Sequence, residues 1–148
     1  MSDAVSVSVL YVDPDDRARL ETTTDLEASP LVDADVQSCG SVSAAIEALE
    51  AGAVDCIVTE YELPDGSGLD IVAWVRDNRP DLPCVLYTDA DTDAIRTTTA
   101  EDAVVEYLPR DLPDSVTSLA RLIGNVVKQR GQIGYPVPET EDERLAAI

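Results

Sequence analysis

The 148-residue sequence contains no histidine and no phenylalanine, and its only lysine is Lys128. The lack of histidine excludes serine–histidine triads, histidine proton relays and histidine metal ligands. Three cysteines (Cys39, Cys56 and Cys84) lack the CxxC spacing of zinc and redox motifs, so we expect free thiols in a reducing cytosol. The sequence has no charged-then-apolar leader and no run of about 18 apolar residues, which predicts a soluble, cytoplasmic protein.

Basic residues are also scarce. The chain has 30 Asp and Glu against 10 Lys and Arg, which gives a formal net charge of −20. Such a charge repels nucleic acid and anionic membrane surfaces, so neither is expected as a direct partner. The acids are scattered along the chain, a pattern that suits high salt, where screening removes the self-repulsion. In this respect the composition resembles that of haloarchaeal proteins.

Apolar strand patterns alternate with helical patterns five times. The predicted strands cover residues 6–12, 33–38, 54–59, 83–88 and 104–108. The predicted helices begin at Asp13–Pro14 (to about Glu27), at Ser41 (to Gly52), at Ser67 or Gly68 (to Asn78), at Asp89–Asp93, and at Asp114 (to Gln129). This alternation predicts an α/β domain with a parallel five-stranded sheet and helices on both faces, over residues 1–128.

Polar side chains stand where four of these strands end. Asp13, Glu60 and Arg110 follow the first, third and fifth strands, and Thr88 ends the fourth. The carboxyl ends of parallel strands meet at one edge of the sheet, where ligands bind in open α/β folds. We therefore expect these four side chains to share a site.

Four motifs carry a resemblance to a known family. They are Val-Leu-Tyr-Val-Asp13, Ile-Val-Thr-Glu60 with Pro64-Asp-Gly-Ser-Gly68, Val-Leu-Tyr-Thr88 and Glu-Tyr107-Leu-Pro-Arg110. In this order, over about residues 5–128, they resemble the receiver domain of two-component response regulators. The resemblance implies a flavodoxin-like (βα)5 three-layer sandwich of strand order 2-1-3-4-5, acting in a phosphorelay as a signalling module without enzymatic activity. It also implies a histidine kinase or other signalling partner, and a homodimer through the fourth helix, fifth strand and fifth helix.

The sequence departs from the family at the pocket. Glu60 stands at the phosphoacceptor aspartate, Asp13 matches the first acid of the metal-binding pair, and Pro14 replaces the second. Arg110 replaces the phosphate-binding lysine. If Mg²⁺ is retained, the resemblance assigns it to Asp13, Glu60 and the backbone carbonyl of Glu62. The loss of one carboxylate weakens such a site, so we expect no cofactor.

Two further positions match the family's switch residues. Thr88 corresponds to the switch hydroxyl and Tyr107 to the switch aromatic. Plainer roles stay open: Asp13 as a helix cap, Thr88 as a strand-end hydroxyl, Tyr107 as an ordinary strand aromatic and Arg110 as a surface arginine.

The extra methylene of Glu60 carries its carboxylate about 1.5 Å further than an aspartate reaches. That displacement spoils in-line attack on a phosphoryl donor and lets the side chain imitate an acyl phosphate. An ion pair between Glu60 and Arg110 would then lock the pocket. These features favour a degenerate pseudo-receiver that signals independently of phosphorylation. The alternatives are a working Mg²⁺-dependent phosphoreceiver, and a small-ligand or enzymatic flavodoxin-like domain, for which the Gly-x-Gly of residues 66–68 lacks dinucleotide-loop spacing.

The last segment, 129–148, is rich in turn residues and then acidic. It predicts a linker or tail. Its Pro138–Ala147 stretch resembles the lead-in of GAF sensor domains, which implies a fragment of a longer, multidomain protein; a disordered acidic tail is the alternative.

Overall fold

The computed structural model describes residues 5–90, 92–101 and 105–133. Helices and strands alternate along this part of the chain. The elements are β1 (Val5–Val12), α1 (Asp16–Ala28), β2 (Val32–Cys39), α2 (Val42–Ala51), β3 (Cys56–Thr59), β4 (Glu62–Leu63), β5 (Gly66–Ser67), α3 (Gly68–Asn78), β6 (Cys84–Tyr87), α4 (Asp93–Glu101), β7 (Val105–Leu108) and α5 (Ser115–Ile133).

Five parallel strands form the main sheet, in the order β2-β1-β3-β6-β7. The predicted parallel sheet and its order 2-1-3-4-5 are thereby confirmed, since β6 and β7 are the predicted fourth and fifth strands. The predicted turn after Glu60 holds the additional β4–β5 pair, which is antiparallel. Gly66 lies in this hairpin at φ +154°, a backbone conformation that favours glycine.

Two hydrophobic cores lie on opposite faces of the sheet. Leu10, Ile57 and Leu86 face α2 and α3 in one core. Tyr11 and Val58, their sequence neighbours, point into the other core, which α1 and α5 cover. Every residue of β3 and β6 is buried, because helices cover both faces of these central strands. The fold is therefore the three-layer sandwich expected from the sequence.

Helix α1 starts later than predicted, and helix α4 starts at the end of its predicted range. The N-cap of α1 is Asp15 and not Asp13: the Asp15 carboxylate accepts the backbone N–H groups of Arg17 and Ala18. Asp13 is unavailable as the cap because its carboxylate is engaged in the cleft described below. Helix α4 begins at Asp93, after Thr92, whose hydroxyl accepts the backbone N–H of Ile95. Asp89 lies outside the helix and accepts the backbone N–H of Asp111.

The bounds of other helices and strands also differ from the predicted ones. The structure extends α5 to Ile133, past the predicted end at Gln129, while the domain boundary at residue 128 stays a prediction. A helix can continue beyond its apolar stripe on polar residues, at a cost of about 1 kcal/mol for Gly131. Strand β3 begins at Cys56 instead of Val54, and β2 is longer than predicted because it pairs with β1 along all eight residues. Of the linker predicted over residues 129–148, residues 134–148 lie outside the described residues, so the linker stays a prediction.

Cys39, Cys56 and Cys84 are free thiols, as predicted. Within the described ranges, the helices are all too short or too polar to cross a membrane.

Candidate functional site

A cleft of about 670 Å³ opens at the carboxyl ends of the parallel strands. The structure brings all four predicted strand-end residues to it: Asp13 after β1, Glu60 after β3, Thr88 after β6 and Arg110 beyond β7. The other lining residues, Glu62 among them, are mostly small or acidic: Pro14, Asp15, Ala18, Glu62, Asp89 and Ala90.

The Glu60 carboxylate accepts hydrogen bonds from three directions. Its Oε1 accepts the backbone N–H of Tyr61 at 2.9 Å and the hydroxyl of Thr88. Its Oε2 lies 3.1 Å from Nη1 of Arg110, so the ion pair predicted between Glu60 and Arg110 is present. The side chain is 17% exposed, which makes these charged contacts stronger than they would be in water.

Asp13 is buried beside this carboxylate. Its Oδ2 accepts the Tyr11 hydroxyl at 2.7 Å and Nη1 of Arg110 at 2.5 Å, and its Oδ1 accepts the Asp15 N–H at 2.9 Å. Burial raises the pKa of Tyr11 above its ordinary value, and the phenol therefore stays a protonated donor toward Asp13.

Arg110 thus bridges two carboxylates through one nitrogen, Nη1. Its guanidinium carbon lies 5.1 Å from the centre of the Tyr87 ring, a cation–π distance. Partial burial by itself lowers the pKa of Arg110. The hydrogen bond to Asp13 and the nearby negative charges raise this pKa by more, so the net change is a rise. The guanidinium is a permanent positive charge in the cleft.

The two predicted switch residues lie in different places. Thr88 is buried and its hydroxyl, besides donating to Glu60, accepts the backbone N–H of Ala90 at 3.1 Å. Tyr107 is half-buried on β7, where it packs against the hydrophobic core on the α2–α3 face. Whether either residue acts as a switch stays a prediction.

Sequence reasoning missed two tyrosines that shape the site. Tyr11 is fully buried and aims its hydroxyl at Asp13, and Tyr87 lies under the Arg110 guanidinium. A signal for Tyr11 was present, because residues two apart on a strand point to the same side of the sheet. The stacking of Tyr87 on Arg110 depends on a loop path that no local pattern specifies.

The arrangement does not fit the magnesium ion that the family resemblance implies. Magnesium requires near-octahedral oxygen ligands at about 2.0–2.1 Å. All four carboxylate oxygens of Asp13 and Glu60 already accept hydrogen bonds, and Nη1 of Arg110 lies between the two groups. Over the described part of the chain, no cluster of three acidic, cysteine or histidine side chains is arranged to hold a metal.

The family profile of the response regulator receiver domain matches residues 9–119. The chain belongs to the response regulator receiver family. This receiver is 28% identical over 123 residues to the DNA-binding transcriptional regulator NtrC of Azospirillum brasilense, which covers 82% of this chain and 25% of that protein. It is also 28% identical over 120 residues to the DNA-binding transcriptional activator DevR/DosR of Mycobacterium tuberculosis, covering 81% and 54%. The receiver thus spans between a quarter and about half of the length of these relatives.

Solved structures share the fold. The signal receiver domain of a LuxO repressor protein from Vibrio parahaemolyticus superposes with a TM-score of 0.77 at 16% identity, covering 91% of this chain and all of that one. A CheY-like receiver domain from Methanospirillum hungatei gives a TM-score of 0.75 at 16% identity, covering 86% and 98%. Receiver domains are typically signalling modules without enzymatic activity, and they interact with histidine kinases and effector domains.

Proposed function

We propose that this receiver signals without phosphorylation, because Glu60 permanently takes the place of a phosphoryl group. The observation that carries the proposal is the set of donors on the Glu60 carboxylate: the Tyr61 N–H, the Thr88 hydroxyl and the Arg110 guanidinium. The family resemblance assigns the hydroxyl and the basic residue at these positions to a phosphoryl group. Because the Glu60 carboxylate already accepts hydrogen bonds from these donors, the pocket would stay in one conformational state without phosphorylation.

The chemistry of transfer supports the same proposal. Phosphoryl transfer to a carboxylate needs an oxygen free to attack in line and cations that neutralise the charge of the donor. Both oxygens of Glu60 are engaged, and its cation partner Arg110 is shared with Asp13. Asp15, Glu62 and Asp89 also line the cleft, and their charge repels an anionic phosphoryl donor.

The proposed role is that of a protein-interaction module. Its partner would be a histidine kinase or another signalling protein, and α4, β7 and α5 would form the face for a partner or a second copy of the chain. The net charge of −20 disfavours direct contact with nucleic acid or an anionic membrane, and it suits a cytoplasm of high salt.

Incubation with acetyl phosphate and Mg²⁺ at high salt, followed by intact mass measurement, tests the proposal. We expect the wild-type chain to gain no phosphoryl group. A triple variant, Pro14→Asp, Glu60→Asp and Arg110→Lys, restores the acceptor, metal and lysine positions of the family, and we expect it to be labelled. Labelling of the wild-type chain that disappears in Glu60→Gln would contradict the proposal and identify a working phosphoreceiver.

Beryllofluoride provides a second measurement. In the wild-type chain we expect the backbone amide signals of Tyr61 and Ala90 to stay in place when beryllofluoride and Mg²⁺ are added, since Glu60 already holds the donors around it. In the triple variant the same signals should move. Movement in the wild-type chain would show that the pocket still accepts a phosphoryl analogue.

A further inference from the structure

The cleft brings two partly or fully buried carboxylates together. The side chains of Asp13 and Glu60 are 3% and 17% exposed, and one nitrogen atom contacts both of them. Two carboxylates this close repel each other strongly where water is scarce, so the arrangement is stable only with a cation between them. In this structure that cation is the guanidinium of Arg110.

The guanidinium contacts the oxygens that a metal ion would need. Nη1 is 2.5 Å from Oδ2 of Asp13 and 3.1 Å from Oε2 of Glu60, one oxygen of each carboxylate. A divalent ion bound to the same two oxygens would have to displace Nη1, because two cationic centres that bridge one pair of oxygens would lie in contact with each other. At these two oxygens the ion and the guanidinium are therefore mutually exclusive.

Contacts other than the two carboxylates also hold the Arg110 guanidinium in place. The Tyr87 ring lies 5.1 Å from its central carbon, and the Tyr87 hydroxyl shares a 2.6 Å hydrogen bond with Ser115 at the start of α5. The next residue in the chain, Asp111, donates its N–H to Asp89 at 2.9 Å and so ties the Arg110 loop to the loop after β6. A cation fixed to the chain and supported in this way competes with free ions at a high effective concentration.

We propose that Arg110 is the resident cation of this receiver and replaces the divalent metal at the bridge between Asp13 and Glu60. The inference deepens the proposed function and rests on it, since a pocket with a built-in cation takes up no free ion during signalling. It assigns Tyr87 and Asp89 as positioning residues for that cation. Removal of the guanidinium should turn the same two carboxylates into a site for a divalent ion.

Manganese binding at high KCl tests this inference, because concentrated salt screens the scattered surface acids and leaves close contacts in the cleft less affected. The variant is Arg110→Met, and Arg17→Met is the matched control, because the Arg17 side chain is 86% exposed and pairs with Glu21 on the surface of α1. We expect Arg110→Met to bind Mn²⁺ at least tenfold more tightly than the wild-type chain or Arg17→Met, by water proton relaxation. Equal affinities in all three proteins would overturn the inference.

A measurement on the wild-type chain covers the case in which Arg110→Met does not fold. The backbone N–H groups of Tyr61 and Asp15 donate to the two carboxylates, so their amide signals report on any ion that binds there. Addition of Mg²⁺ should leave both signals unmoved. A saturable shift of both would show that the metal displaces Arg110 and would overturn the inference.

These outcomes separate the inference from the proposed function. A wild-type chain that binds Mg²⁺ in the cleft but gains no phosphoryl group from acetyl phosphate contradicts only the resident cation. A wild-type chain that is phosphorylated at Glu60 equally well with and without Mg²⁺ contradicts the proposed function and leaves the resident cation standing.

Discussion

Gly68 lies close to the backbone of Glu60 and leaves no room for a side chain. A Cβ atom at this position would lie 2.6 Å from the Glu60 carbonyl oxygen, 3.0 Å from Cγ2 of Thr59 and 3.1 Å from Cδ2 of Leu86. The first of these is backbone, which cannot rotate away as a flexible side chain can. Only glycine therefore lets α3 begin this close to the end of β3, and the close approach fixes the point from which the Glu60 side chain reaches the cleft.

We predict that Gly68→Ala destabilises the domain by about 1–3 kcal/mol, the usual cost of forcing atoms into a packed site. The matched control is Gly52→Ala at the end of α2, where an added Cβ meets nothing within 4 Å. The control should change the free energy of unfolding by no more than about 0.5 kcal/mol. Urea unfolding of both variants checks the difference, and equal stabilities would show that the backbone near Glu60 yields easily.

At the scale of the elements, the sequence was sufficient for the order and type of the main strands and helices. The short apolar runs of β3 and β6 predict buried strands, and the apolar stripes of α2 and α5 predict helices. These local patterns therefore gave the correct element types. The β4–β5 pair was missed because two-residue strands carry no period. The start of α1 was wrong because two aspartates, Asp13 and Asp15, precede it. The Tyr11 hydroxyl and Arg110, which is 97 residues away, engage the Asp13 carboxylate, and Asp15 caps the helix.

The same limit applies to the site. The strand-end rule gathers Asp13, Glu60, Thr88 and Arg110 at one edge, and a pairing of Glu60 with Arg110 follows from their opposite charges. The sharing of Arg110 with Asp13 does not follow, since it depends on side-chain reach and on the packing of Tyr11 and Tyr87. The contacts of Arg110 with Asp13 and Tyr87 join different strands and have no signature in the sequence around either partner.

The loop between β4 and β5 is attached to the neighbouring helix by one side chain. The Asp65 carboxylate accepts the backbone N–H groups of Val42 at 2.8 Å and Ser43 at 3.0 Å, in the first turn of α2. The N-terminal end of a helix carries unpaired N–H groups and a partial positive charge, both of which favour a carboxylate. These hydrogen bonds lower the pKa of Asp65 below its ordinary value of 3.8.

We predict that this contact makes stability depend on pH at acid values. A carboxyl whose pKa is lowered by folding contributes stability above its unfolded pKa and loses it as pH falls through the folded value. Asp65→Asn should therefore be less stable than the wild-type chain near neutral pH, and the gap should shrink as pH falls below 3.8. Urea unfolding across this range gives the gap directly.

Glu47→Gln is the control for Asp65→Asn, because it removes a carboxylate from an exposed position in the middle of the same helix. Its stability relative to the wild-type chain should show no comparable acid-dependent gap. A gap for Asp65→Asn that stays constant down to the lowest pH would mean that the hydrogen bonds act independently of the charge.

The charge of the whole molecule is far from balanced. With 30 acidic and 10 basic residues, most carboxylates cannot have a basic partner of their own. Some arginines form pairs within one helix turn, such as Arg17 with Glu21 and Arg96 with Asp93, and others such as Arg110 are used in the cleft. The exposed pairs of Arg17 and Arg96 each contribute about 0–1 kcal/mol to the free energy of unfolding, so they do little to offset the repulsion among the remaining acids.

We therefore predict that NaCl stabilises this receiver. The Debye length falls from about 10 Å at 0.1 M to about 3 Å at 1 M, which screens repulsion between scattered surface acids more than it weakens the partly buried contacts of Arg110. A gain of about 1 kcal/mol would raise the melting temperature by roughly 4 °C. Thermal unfolding at both salt concentrations measures the shift, and sucrose in low salt, which acts by exclusion from the surface, is the control. Because screening nears completion by about 1 M, most of the rise should come below that concentration. A melting temperature that is flat or falls with NaCl would show that self-repulsion does not limit the stability of this fold.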